Sequence, residues 1–452
     1  MAHCRKNVGA LRDSWTIRPP VEVTMSAAVI AEPRHTPVKP LLGLRENWQQ
    51  FSLLVLINAF VGTMVGLERT VLPLVAEHDF GIASRSAALS FIATFGIVKA
   101  ITNLVAGRLG DLWGRKKVLT IGWLFAVPVP FMVMLAPSWG WIVAANVLLG
   151  INQGLAWSTT VIMKIDLVGS RRRGLATGLN EFAGYLAVAI AALASGEIAA
   201  RYGLRPEPFY LGIAAAAIGL SLTVLFVRDT SSHVREEIRM RHVRDDSTNI
   251  SSTKESSIEI FSNGTWRDPA LATASHAGLV NNLNDGVAWG LFPLFFAAAG
   301  LSLREISLLT FAYPAVWGMT QLATGSLSDR WGRKGFIVFG MLIQGASLLA
   351  VAFSHTFVAW MIAAAALGIG TAMVYPTLLS AIGDVADPSW RGNAVGVYRF
   401  WRDSGYAIGA IGAGLLADRW GMTPAIAVVG LLTMATGVLA AVRMPETYRR
   451  LA

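Results

Sequence analysis

The chain has 452 residues, 54% of them hydrophobic and only 15% charged, with 38 Lys and Arg against 28 Asp and Glu. Soluble domains carry about 25% charged residues, so this balance excludes a soluble enzyme, a fibrous chain and a disordered one. The net charge of +10 falls in short basic clusters between apolar runs, the pattern of membrane orientation signals rather than of a nucleic-acid surface.

In chain order, residues 1–47 are polar, basic and proline-bearing. They lack the apolar core of a signal peptide and read as a disordered cytoplasmic tail, within which Met25 is an alternative start. A spanning helix needs about 20 mostly apolar residues, and twelve such runs follow. They lie near 51–73, 87–107, 118–136, 139–163, 174–200 and 208–227, then near 271–299, 304–327, 336–353, 357–382, 392–416 and 423–442. Only helices satisfy their own backbone in lipid at this length, so the expected fold is an all-α integral membrane protein with twelve transmembrane helices. The bundles cover 48–227 and 271–443, separated by a cytoplasmic linker over 228–270 and followed by a short cytoplasmic tail, 444–452. Within the linker, His233 to Val243 is compatible with a surface helix, a solvated connection being the plainer reading.

The connections set the orientation. Arg108, Arg115, Lys116 and Lys117 follow the second run, and Arg171, Arg172 and Arg173 the fourth. Arg330, Arg333 and Lys334 follow the eighth, and Arg391 the tenth, while the alternate loops are poorer in basic residues. The positive-inside rule then puts both termini in the cytoplasm of a multi-pass protein of the cytoplasmic (inner) membrane. The single cysteine, Cys4, cannot close an internal disulfide, and the 7 histidines lack ligand spacing, so no metal or cofactor is expected. No Ser/His/Asp order supports an enzyme.

An internal repeat organises the chain. Gly107 to Lys116, carrying Asp111, Gly114 and Arg115, recurs as Gly325 to Lys334 with Asp329, Gly332 and Arg333, a spacing of 218 residues (329 − 111). Arg173-Gly174 and Arg391-Gly392, Arg201-Tyr202-Gly203 and Arg419-Trp420-Gly421, and Asp166 and Asp384 keep the same spacing. The two six-helix bundles are therefore pseudo-symmetric. Six is even, so they share one orientation about an axis along the membrane normal.

The two Gly-x-x-x-Asp-x-x-Gly-Arg-Lys segments, each in the second loop of a six-helix half, resemble the signature loop of the Major Facilitator Superfamily, over about 50–443. The resemblance implies a twelve-helix secondary transporter with a central cavity between two bundles, working by rocker-switch alternating access. Three positions depart from the family's common pattern: Leu112 replaces an Arg that the second copy keeps as Arg330, Asn146 stands where proton-coupled members carry an Arg, and Gly184-Tyr185 replaces a Gly-Pro pair. In each signature loop the acid can cap a helix start and the Arg can pair with an acid on the same face. This gives Asp111, Arg115 and Asp166 in the first half and Asp329, Arg333 and Asp384 in the second as a cytoplasmic gate holding the halves closed. The alternative is stop-transfer charge alone.

Charged side chains at mid-bilayer cost about 2.5–3.5 kcal/mol each, so those inside the runs must face the bundle interior. They are Glu68, Arg69, Lys99, Glu181, Asp285, Arg399, Arg402 and Asp403. Glu181 and Arg399 are also 218 apart (399 − 181), which puts an acid and a base at equivalent depths across the cavity. Arg399, Arg402 and Asp403 share one helical face, with an Arg399–Asp403 pair along the helix as the plainer alternative. Asn281, Asn282, Asn284 and Asp285 form a hydrogen-bonding wall or a break in the seventh helix, with interhelical glue as the plainer alternative. Asn152 and Gln153 are a similar polar spot in the fourth. Trp48, Trp139 and Trp141 read as interface anchors; Trp289, Trp317, Tyr313, Tyr375 and Trp401 as cavity lining or packing. Two arginines suit an anionic group, and Glu68, Glu181 or Asp285 are the candidates to carry a proton.

The expected function is proton-coupled export of a small polar or ionisable solute, the direction resting on the resemblance alone. The alternatives are an importer, symporter or facilitator of an organic anion, and a sensor that binds without transporting. The expected partners are the solute, protons and the lipid bilayer, with no nucleic acid, and the expected state is a monomer.

Overall fold

The structure, a computed structural model, describes residues 42–168, 173–235, 256–386 and 390–448. The N-terminal tail, most of the stretch His233 to Val243, the linker centre and Arg171–Arg172 lie outside these. Among the described residues there are twelve long helical segments: α1 (Trp48–His78), α2 (Ser90–Trp113), α3 (Arg115–Ala126 continuing through Pro128–Met134), α4 (Trp139–Asn152 to Ser158–Val168), α5 (Arg173–Tyr202), α6 (Tyr210–Phe226), α7 (Pro269–Ala298), α8 (Leu303–Trp331), α9 (Arg333–Phe353), α10 (Phe357–Val385), α11 (Arg391–Trp420) and α12 (Met422–Arg443). Eight are long and apolar enough by length and composition to cross a membrane. Of the other four, α4, α7, α8 and α11, three fall short for readable reasons. α4 is divided into short pieces, and α7 and α11 hold the polar cluster of Asn281 to Asp285 and the cluster of Arg399 to Asp403.

The repeat is visible in the packing. α1 lies against α5 in the first half as α7 lies against α11 in the second, and the halves meet along α2–α11 and α5–α8. Small residues make these approaches close. A Cβ on Gly62 would fall 2.3 Å from the Gly184 carbonyl oxygen, and one on Gly66 2.3 Å from that of Val188. On the matching contact, a Cβ on Gly405 would fall 2.2 Å from the Leu279 carbonyl oxygen. Without a hydrophobic driving force in lipid, such backbone contact is what joins helices. Gly114 (φ +88°) and Gly332 (φ +101°) turn the chain between α2 and α3 and between α8 and α9, a conformation costly for any other residue.

Two local expectations change. α7 runs unbroken through its four polar residues, so the cluster is a wall and not a hinge. α4, drawn from the sequence as one run near 139–163, contains a π-helical turn over Gln153–Trp157. The turn shifts Trp157 and Ser158 in register, and such bulges recur at functional sites.

A charged cluster between the two halves

Lys99 and Asn103 on α2, Trp157 and Ser158 on α4, Tyr185 on α5, Tyr375 on α10 and Arg399, Arg402 and Asp403 on α11 enclose a cavity of about 20 Å3. That is room for about one water. A smaller cavity of about 10 Å3 adjoins it, where Phe95, Gln153, Trp289 and Tyr406 surround Lys99. Asp403 is the hub. It accepts from Arg402 Nη1 at 2.8 Å, from Asn282 Nδ2 at 3.3 Å and from Asn103 Nδ2 of the opposite half. Arg402 also donates to Tyr185 Oη at 3.0 Å, and its guanidinium lies 4.1 Å from the Tyr375 ring centroid. Arg399 does not pair with Asp403 along the helix; it reaches across the interface to Ser158 Oγ at 3.2 Å. Lys99 has three rings around it, Tyr406, Phe95 and Trp157, at 5.2 to 5.7 Å. Among the described residues it has no hydrogen-bond acceptor.

Of the residues expected to line a cavity, Gln153, Arg399, Arg402 and Asp403 do so. Asn282 reaches it through Asp403. Glu68, Arg69, Asn152, Glu181, Asn281 and Asp285 sit one layer out, because aromatic rings form much of the inner wall. Glu181 and Arg399 are not a pair. Glu181 Oε1 accepts from Trp157 Nε1 at 3.0 Å and from Asn180 Nδ2 at 3.1 Å, behind the Trp157 ring. Asp285 accepts from Tyr313 Oη. The Arg69 guanidinium is held between the Trp289 and Phe95 rings at 4.6 and 4.9 Å, with no hydrogen bond among the described residues. Its neighbour Glu68, 1% exposed, has no well-formed hydrogen bond either. Asn152 donates to the Gly122 carbonyl and Gln153 to that of Val61, fastening the first half internally. Asn281 and Asn284 share Gln344, and Asn284 accepts from Thr433, so part of the α7 wall is interhelical glue.

Residues the sequence reading passed over belong here too. Lys164, fully buried, donates to the Leu54 carbonyl at 3.1 Å. It lies one residue beyond the expected span, and the apolar Ile165, Leu167 and Val168 after it were the signal that the helix continued. Asn103 and Ser158 are common polar residues whose importance only the interface reveals.

The expected gate pairs form. Arg115 contacts Asp111 at 2.6 Å and Asp166 at 3.5 Å, and Arg333 contacts Asp329 at 2.5 Å and Asp384 at 3.1 Å. Each set lies within one half, so it fastens helix ends of its own bundle and does not bridge the two. A third acid completes each set. Asp229 accepts from the Lys116 backbone N–H, and Glu446 accepts from those of Arg333 and Lys334. The next residues, Thr230 and Thr447, donate to Asp166 and Asp384. This acid-Thr doublet after the last helix of each half repeats at 217 (446 − 229), one residue off the main spacing, which hid it.

The two ends of the molecule differ. At the end away from the signature loops, polar bonds cross between the halves. Thr70 bonds Thr310 at 2.9 Å, Arg304 pairs with Glu197 at 3.3 Å, and Asp418 accepts from Ser84 Oγ and from the backbone N–H of Ser86 at 2.9 and 3.0 Å. One helical turn beyond Thr70 and Thr310, a mostly apolar vestibule of about 770 Å3 opens around Leu74, Leu301 and Ile306. At the signature-loop end, Gly107, Gly178, Gly325, Gly392 and Gly396, on the four helices that join the halves, face open space.

The Major Facilitator Superfamily model matches residues 52–276 and 274–452. An uncharacterized MFS-type transporter of Methanocaldococcus jannaschii is 30% identical over 34% of this chain, which covers 38% of that relative's length. Multidrug resistance protein 1 of Bacillus subtilis is 22% identical over 81% of this chain and 89% of its own. A solved POT family transporter in complex with 5-aminolevulinic acid superposes with a TM-score of 0.66 at 13% identity, over 89% of this chain and 97% of that one. At that identity it establishes the shared fold.

Proposed function

The chain belongs to the Major Facilitator Superfamily, and we propose on that footing that it exports a small polar or ionisable solute across the cytoplasmic membrane by alternating access, coupled to protons. Multi-pass membrane transport is the activity that membership supports, and transport, direction, coupling and cargo together are the proposal. The signature-loop end faces the cytoplasm in this reading, with both termini on that side. The observation that carries it is the asymmetry of the two ends. Cross-half bonds at the far end are polar, and the layer around the Thr70–Thr310 bond lies between the central cluster and the 770 Å3 vestibule. Breaking that layer while the α5–α8 and α2–α11 contacts close at the other end would move access from one side to the other.

Export is favoured by the multidrug resistance relative. Proton coupling is supported by three buried carboxylates that keep an oxygen without a hydrogen-bond partner among the described residues, Glu68, Glu181 and Asp285; a proton there would neutralise a charge held out of water. Asp403, whose oxygens are engaged by Arg402, Asn282 and Asn103, is the hub and not the carrier. Flux in proteoliposomes, with and without an imposed pH gradient, tests the reading. Solute movement that follows the gradient in the wild type and loses that dependence in one of Glu68→Gln, Glu181→Gln or Asp285→Asn is expected. Flux indifferent to the gradient would remove proton coupling, and solute binding without flux would point to a sensor.

A further inference from the structure

We propose that the cargo is a small organic anion with a flat apolar body, an aryl carboxylate in kind, whose carboxylate is held between Lys99 of the first half and Arg399 of the second. This rests on the transporter reading and names its substrate class. The central cavity has three cations on its wall, Lys99, Arg399 and Arg402, against one acid, Asp403. Arg402 and Asp403 satisfy each other at 2.8 Å. Among the described residues the other two cations have no carboxylate partner. Arg399 has the Ser158 hydroxyl and Lys99 has only ring faces. The acids whose field reaches Lys99 are Asp403, Glu181 and Asp285; each accepts from another donor, and among the described residues none makes an ion pair with Lys99.

Two cations without an ion-pair partner in a cavity with room for about one water are costly, and an anion that enters offsets that cost. A dication entering the same cavity would add to it. Guanidinium and ammonium suit different roles on one carboxylate, a planar fork and a point charge. The Trp157, Tyr185 and Tyr375 rings on the wall suit an aromatic body once the halves part and widen the cavity, since Arg402 now covers Tyr375 and Trp317 packs on Tyr185. Because Lys99 rides on α2 and Arg399 on α11, the helices along which the halves meet, one carboxylate bridging them would also draw the halves together. Binding and closure would then share one interaction.

Three near-isosteres separate charge from shape: benzoate, benzamide and benzylamine, compared by thermal stabilisation of the full-length protein in detergent and by flux in proteoliposomes. Benzoate should bind about tenfold to a hundredfold more tightly than benzamide, the range for a hydrogen bond to a charged group, and benzylamine should not stabilise. Lys99→Met and Arg399→Met should each bring benzoate down to the benzamide level, with Lys99→Arg restoring most of the difference. The wild-type comparison stands even if a variant fails to fold. Benzylamine binding as well as benzoate, or none of the three binding, overturns the anion site. Benzylamine carried across the bilayer while benzoate is not overturns it and leaves the transporter reading intact; benzoate bound at this site without flux does the reverse.

Discussion

The carboxylate of Asp418, at the last turn of α11, offers the most direct handle on the far-end seal. It takes hydrogen bonds from the Ser84 hydroxyl and from the backbone N–H groups of Arg85 and Ser86, so a side chain of the second half caps a turn of the first. Asp418→Asn keeps the shape, removes the charge and leaves one acceptor oxygen. Charge-assisted bonds are worth about 1.5–3 kcal/mol each when buried, but Asp418 is exposed and water screens it. A loss of about 1–2 kcal/mol is therefore expected, a factor of about 5–30 in a two-state ratio, directed toward the state open at the far end. Spin labels at Tyr202 and Val358, both exposed at that end and on opposite halves, would report the change by pulsed electron–electron resonance in a Cys4→Ser background. A longer-distance population should grow by that factor. An unchanged distribution, or a shift to shorter distances, would refute the claim that this contact holds the far end shut.

Other substitutions probe the scaffold. Gly66→Ala should lower thermal stability in detergent by about 1–3 kcal/mol through overpacking against the Val188 carbonyl, whereas Gly107→Ala, facing open space, should be nearly neutral. Arg333→Ala should cost about 1–3 kcal/mol, the buried end of the range being discounted because Asp384 is partly exposed, and Arg333→Lys should recover less than half of it because the fork to Asp329 and Asp384 is lost. Burial pushes the Asp229 carboxyl up, but hydrogen bonds from Ser231 and from the Lys116 backbone N–H hold it below the usual carboxylate range. A lowered value in the folded state means stability present above the unfolded value of about 3.9 and lost as pH falls through the folded one. Melting temperature should therefore drop below about pH 4 in the wild type and drop less in Asp229→Asn.

The helices and the two-fold repeat were legible because lipid enforces both: apolar length marks a span, and a repeated loop must recur at a fixed spacing to serve two equal halves. The buried charges were legible for the same reason, since lipid makes each one conspicuous. What the sequence withheld was pairing. Arg399, Arg402 and Asp403 share a face, yet Arg402 takes Asp403 and Arg399 crosses to Ser158, because the opposite half supplies partners that helical periodicity cannot reveal. The same limit applied to Arg115 and Arg333. Their acids were identified, but not Asp229 and Glu446, which come from the end of each half to cap the same turn. The π turn at Gln153–Trp157 has no counterpart in residue spacing. Its effect, bringing Trp157 and Ser158 to the cavity, depends on where α2 and α11 lie.

The central claim is that the cluster around Lys99 and Arg399 is reached from one side of the membrane and then from the other. Ser158 lines that cavity, and Ser158→Cys in a Cys4→Ser background places a thiol there. In sealed vesicles of each orientation, a membrane-impermeant thiol reagent should modify it from both sides, and Asp418→Asn should raise the rate from the far side while lowering it from the signature-loop side. Modification from one side only, under every condition, would contradict alternating access; rates from the two sides rising together would indicate an open pore instead.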